Sequence, residues 1–215
     1  MLRLRVTVCG DGPSDRVLVE PTRWLVSEIM EERSATFEVL FADVRGTPLV
    51  ERLRESVRLY PCDVLVVHRD AEAEPAARRV VEIESARSAA RLTETVIPVV
   101  PVRMTEAWLL FDEDAIRRAA DNPSGTIELG LPRVTQVESV LDPKQLLRES
   151  LARASEKRAR RLKMFRSEMR SRVHRVAQLI ESYAPLRAVD SFSRFERDLR
   201  SALEPVLQAT NANRG

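Results

Sequence analysis

Cysteine is nearly absent from this chain: Cys9 and Cys62 are the only two in 215 residues. Two thiols in apolar, strand-like surroundings make no disulfide framework and lack metal-ligand spacing, so they read as buried and reduced. Histidine is equally scarce. Neither His68 nor His174 has an evident third partner, which leaves a nucleophilic triad unsupported. A G-x-x-x-x-G-K-[ST] loop is missing, so the chain is not itself a P-loop ATPase. No apolar run approaches the roughly 20 residues that cross a bilayer. The opening MLRLRVTVCGDG is too short and too interrupted for a signal peptide and reads as a strand. Net charge is small too, a formal +2, so partners must be sought in where charge sits and not in its total. What these absences leave is the expectation of a cytoplasmic globular protein with no membrane association.

The length suits one continuous core, with room for a helical extension. Strand and helix alternate through the first half. Leu2 to Cys9 reads as a strand ending in a Gly-Asp-Gly turn, and Pro13 to about Arg33 as a helix. Strands are expected at Thr36–Phe41, Asp63–His68 and Thr95–Pro101, with helices at 48–60, 75–92 and 105–120. Four βα units with continuously apolar strands predict a parallel sheet sandwiched by helices. The loops at the strands' carboxyl ends then converge on the edge where open α/β sheets bind ligands. After Asp121 the pattern changes. Residues 121–141 read as a loop with at most one short strand, and the remainder as helices over 142–156, onward to about Glu181, and from Ser191 to about Gln208. The expected organisation is an α/β domain at 1–141 and a helical extension at 142–215, packed on or beside it.

Acids gather at the predicted strand ends. Asp11 sits between two of only six glycines, in Gly10-Asp11-Gly12-Pro13-Ser14-Asp15. This is either a helix-capping turn using Asp11, Ser14 or Asp15, or a carboxylate presented at a ligand edge. Asp70 and Glu72 follow the third strand two residues apart, a spacing that suits a hard cation such as Mg²⁺ or Mn²⁺. Glu106 opens the helix after the fourth strand, where dipole partner and site residue are equally good readings. Asp142-Pro143-Lys144 reads as N-cap and first-turn proline, with Lys144 free to reach a phosphate. Three strands delivering acids to one edge weigh more than any single motif.

One charge run stands apart. From Lys157 to Arg175 the sequence KRARRLKMFRSEMRSRVHR contains a single acid, Glu168. An ordinary solvated helix mixes signs, because i,i+4 pairs help it. Leu162, Phe165, Met169, Val173 and Val176 supply an apolar stripe, leaving Arg160, Arg161, Arg166 and Arg170 to meet DNA, RNA or an acidic protein surface.

Taken together, Gly10–Asp15, Val67–Glu72, Pro101–Leu110, Asp142–Lys144 and Ser191–Phe195 resemble the bacterial family called domain of unknown function 4276. The Glu106-Ala107-Trp108-Leu109-Leu110 and Asp142-Pro143-Lys144 blocks are the most specific parts of the resemblance. That family resembles the Toprim fold of topoisomerases, primases and overcoming-lysogenization-defect nucleases, and its members are often encoded beside an ATPase in settings suggestive of phage defence. By this resemblance Asp11 stands where Toprim enzymes carry a glutamate, and Asp70 and Glu72 stand where they carry an aspartate pair. The resemblance implies a Toprim-like (Rossmann-like) α/β fold and a divalent-metal-dependent nuclease or phosphodiesterase partnered with an ATPase. Asp11, Asp70 and Glu72 would be its metal ligands, joined by Glu106 if the strand-end reading of that residue holds, with Lys144 or Arg103 neutralising phosphate charge. The alternative is a non-catalytic Toprim-like module that binds nucleic acid or nucleotide for the ATPase.

Overall fold

The computed structural model describes residues 3–31, 36–45, 48–71, 75–102 and 104–212. Four strands, β1 (Arg3–Cys9), β2 (Thr36–Ala42), β3 (Val64–His68) and β4 (Thr95–Val99), form one all-parallel sheet in the order β2-β1-β3-β4. Side chains alternate between the sheet's two faces with a period of two residues. Leu4, Val6, Val8, Val64, Val66, Ile97 and Val99 enter the larger apolar cluster, whereas Cys9, Leu65 and Val67 enter the smaller one. Both faces are therefore covered, as continuous apolar strands require.

The smaller face is closed by α2 (Leu49–Leu59) and α3 (Ala76–Ala90), which contribute Leu53, Ile83, Ala86 and Ala90. The larger face takes α1 (Val19–Met30) and the C-terminal helices. These are α4 (Glu113–Ala119), α5 (Pro143–Ala154), α6 (Ala159–Ser167), α7 (Met169–Leu179) and α8 (Asp190–Ala212). Helix α8 packs on β4 and α1, and α7 packs on α4. Phe192, Phe195, Val173 and Val176 share one apolar cluster with the strands. The segment after residue 141 thus supplies much of one layer of the sandwich.

Four expected elements come out differently. The helix expected from Pro13 opens as a 3-10 turn, Pro13–Leu18, before α1 begins. The helix expected over 105–120 is interrupted. Thr105–Leu109 is a 3-10 turn, and α4 starts afresh because the Asp112 carboxylate accepts the Ala115 N–H at 2.8 Å, an N-cap inside the pattern. Where a short strand had room, Val134–Ser139 closes as a 3-10 turn that buries Val137. The basic run is also two helices and not one, broken at Glu168, although Phe165, Met169, Val173 and Val176 do form its buried stripe. Cys9 and Cys62 are free and buried, and burial pushes both thiols above their ordinary pKa. Among the described residues no helix is long and apolar enough to cross a membrane.

Candidate functional site

Strand order reverses between β1 and β3, so their carboxyl ends flank the crevice where open α/β sheets bind ligands. Asp11 lies two residues beyond β1, and Asp70 two beyond β3. The turn that presents Asp11 is organised by Asp15, which is buried. Its Oδ2 accepts the backbone N–H of Asp11 at 2.7 Å and of Gly12 at 3.0 Å, and its Oδ1 accepts the Ser14 hydroxyl at 3.2 Å. Asp15 therefore does the capping, and Asp11 is left to face the crevice.

The two glycines of this turn serve different ends. A Cβ on Gly10 would lie 2.6 Å from Asp15 Cβ, a contact that must displace the capping carboxylate, whereas one on Gly12 would meet nothing within 4 Å. Gly10→Ala should therefore cost about 1–3 kcal/mol of stability, and Gly12→Ala close to none. Urea denaturation of the two variants checks this, and equal costs would contradict the role given to Asp15.

Asp11 Oδ1 accepts from two guanidiniums, Arg52 Nη2 at 2.7 Å and Arg69 Nη1 at 3.0 Å. Arg52 comes from the first turn of α2 and its side chain is only 8% exposed. Arg69 also pairs with Glu82 of α3 at 3.1 Å, and Arg79 of α3 donates to the Asp70 carbonyl at 3.1 Å and to Glu82 at 3.0 Å. One network thus links the loops after β1 and β3 to both helices of the smaller face.

His68, the last residue of β3, is wholly enclosed. Its Nδ1 contacts the Val99 carbonyl at 3.0 Å, while Nε2 stands 3.2 Å from Asp70 Oδ1 and 4.0 Å from Asp15 Oδ1. Neither Nε2 nor Asp70 Oδ1 has a hydrogen bond of good geometry, so the approach is that of an ion pair when the ring is protonated. Burial pushes the imidazole pKa down, but Asp70, Asp15 and the Val99 carbonyl outweigh it, and the net shift is upward from 6.5. A pKa raised by folding adds stability that is fully present below the unfolded value and is lost as pH rises through the folded value. In denaturant titrations, the stability gap between wild type and His68→Gln should narrow as pH climbs above 6.5. A gap constant with pH would show that the ring stays neutral.

Glu106 and Lys144 form a second pair. Glu106, in the turn Thr105–Leu109, is buried, and Lys144 Nζ approaches its Oε1 at 3.6 Å from the start of α5. Asp142 caps α5 by accepting the Gln145 N–H at 2.8 Å, as its sequence context suggests. The turn packs against Pro13–Leu18, which sets this pair beside the Asp11 loop. Glu72 and Arg103 lie outside the described residues.

Among the basic side chains, Arg160, Arg161, Arg166 and Arg170 are exposed and make no ion pair among the described residues. Arg172 and Arg175 are instead held by Asp121, and Lys157 lies over the Phe165 ring. The basic run is therefore part scaffold and part free surface.

Sequence reasoning missed Arg52, the enclosure of His68 and the part played by Glu82. Arg52 borders the Leu49–Leu53 apolar stripe of α2 and carries no motif of its own. Among the described residues no group of three or more His, Cys, Asp or Glu side chains is gathered as a ligand set. Two carboxylates nonetheless suit a hard cation: among the described residues, Asp70 Oδ1 has no hydrogen bond of good geometry and only His68 Nε2 beside it, at 3.2 Å, and Asp11 engages its cations through Oδ1. Mg²⁺ is commonly held by one or two carboxylates plus substrate phosphates. Comparison with family models, with curated proteins and with solved structures finds no match to this chain.

Proposed function

We propose that this chain is a Toprim-like, divalent-metal-dependent phosphodiesterase that cleaves nucleic acid, working in the cytoplasm as the effector of a separate ATPase, in a role such as phage defence. The observation that carries the reading is the placement of Asp11 and Asp70 on either side of the crevice between β1 and β3. The family resemblance of the surrounding motifs supports it.

Asp11 and Asp70, with Glu72, would hold Mg²⁺ or Mn²⁺. Such a cation supplies polarisation of the phosphate and a water of lowered pKa. Asp15 fixes the backbone that carries Asp11, and His68 fixes the orientation of Asp70. Arg69, about a fifth exposed, is the cation near Asp11 best placed to meet a phosphate oxygen, and Lys144 is a second. Arg52 is buried and serves to hold Asp11. Glu106 anchors Lys144 or joins the ligand set.

A second reading has an observation of its own. Asp11 already meets two guanidiniums, which suits a non-catalytic module that binds nucleic acid or nucleotide for the ATPase. Incubating purified protein with DNA and RNA in Mn²⁺ or Mg²⁺ separates the two. Metal-dependent cleavage supports the enzyme, and binding without cleavage, alone and with the ATPase, supports the module.

A further inference from the structure

A cleft of about 990 Å³ lies between α5 and the junction of α6 with α7. One wall presents Lys144 and Arg148, and the other Arg166 and Arg170. Lys144 and Arg148 are four residues apart in α5, so they sit roughly one turn, about 6 Å, from one another, whereas Arg166 closes α6 and Arg170 opens α7, on either side of the break at Glu168.

Acids line the cleft too, but each is engaged. Asp142 caps α5, Glu149 accepts from the Gln145 amide at 2.8 Å, and Glu168 accepts from Arg172 at 2.8 Å. Arg148, Arg166 and Arg170 are exposed and have no ion pair among the described residues. Guanidiniums left free on facing walls suit the phosphate oxygens of a chain laid between them. Among the described residues no aromatic side chain lines the cleft. Proteins that hold single strands stack bases on aromatic rings, and that platform is missing here. Contacts to phosphate alone position a duplex without reading its sequence.

We infer that this cleft grips one sugar–phosphate strand of double-stranded nucleic acid, independently of sequence, and leads it toward Lys144 and Glu106. The inference rests on the reading of the chain as a nucleic-acid enzyme and narrows it. Arg148, Arg166 and Arg170 belong to the grip, whereas Arg160 and Arg161, which do not line the cleft, lie outside it.

Binding of full-length protein to a labelled mixed-sequence duplex in EDTA tests the grip without turnover. The variant R148Q/R166Q/R170Q should keep its far-UV spectrum and melting temperature, since all three side chains are exposed. Its affinity should fall, and its log–log salt slope should flatten by about 0.9 for each duplex phosphate the variant no longer neutralises. The single substitution Arg148→Gln should act in the same direction, flattening the slope by about 0.9, which keeps the test open if the triple variant folds poorly. R160Q/R161Q should change the slope by less than the single substitution does. Unchanged binding by the triple variant, an equal loss of affinity in R160Q/R161Q, or tighter binding of single strands than of duplex would overturn the inference. Equal competition by polyglutamate would overturn it as well, assigning the cleft to an acidic protein surface. Duplex binding through the cleft without cleavage in Mn²⁺ leaves the grip standing and removes the enzyme. Cleavage that survives in the triple variant with unchanged affinity does the reverse.

Discussion

Asp70→Asn should remove nucleic-acid cleavage, lowering turnover by more than about 100-fold, while the fold survives. Replacing groups that merely support a metal ligand typically costs 10–100-fold, and a direct ligand should cost more. The substitution is isosteric, and the side chain is about a third exposed, so packing changes little. What disappears is the negative charge beside His68 Nε2, on a buried oxygen that among the described residues has no hydrogen bond of good geometry. Single-turnover cleavage in saturating Mn²⁺, with melting temperature as the folding control, measures the effect. Wild-type rates in Asp70→Asn would move catalysis away from the crevice between β1 and β3.

The largest stability effect is expected at Trp108. Its side chain is 1% exposed and lies 5.1 Å from Phe192 edge to face and 6.2 Å from Phe195 nearly parallel. Its Nε1 donates to the Ser191 hydroxyl at 3.2 Å. These contacts join the turn carrying Glu106 to α8, which itself lies on β4. Trp108→Ala should cost about 3–5 kcal/mol, the usual range for deleting a buried large aromatic. For a chain of this length that is a fall in Tm of roughly 6–20 °C. Val81→Ala, at a position 64% exposed, provides the contrast and should change stability by less than about 0.5 kcal/mol. Similar costs at both positions would mean that α8 is not part of the core.

The sheet was legible because its signal is local. Val6, Val8, Val64 and Val66 sit in short apolar runs whose flanking glycines and acids mark where each strand stops. Asp11 and Asp70 were legible for the same reason, since each directly follows such a run. What joins them was not. Arg52 reaches Asp11 across 41 positions of sequence and Arg69 across 58, and nothing in the local pattern of either arginine announces the contact. His68 looked unpartnered because its partners are a backbone carbonyl on β4 and two carboxylates reached through the fold. The same limit hid the division of the basic run. Asp121, which holds Arg172 and Arg175, lies in a different helix-end turn, so spacing alone made every arginine of the run look alike.

The central claim is that Asp11 and Asp70 hold a divalent cation, and thermal melting with and without Mn²⁺ tests it most directly. A ligand that binds only the folded state stabilises it by about 2.7 kcal/mol at 100 times its Kd. Mn²⁺ should raise the melting temperature of the wild type, in proportion to the logarithm of its concentration, and leave Asp70→Asn unmoved. No shift in the wild type, or the same shift in Asp70→Asn, would contradict it.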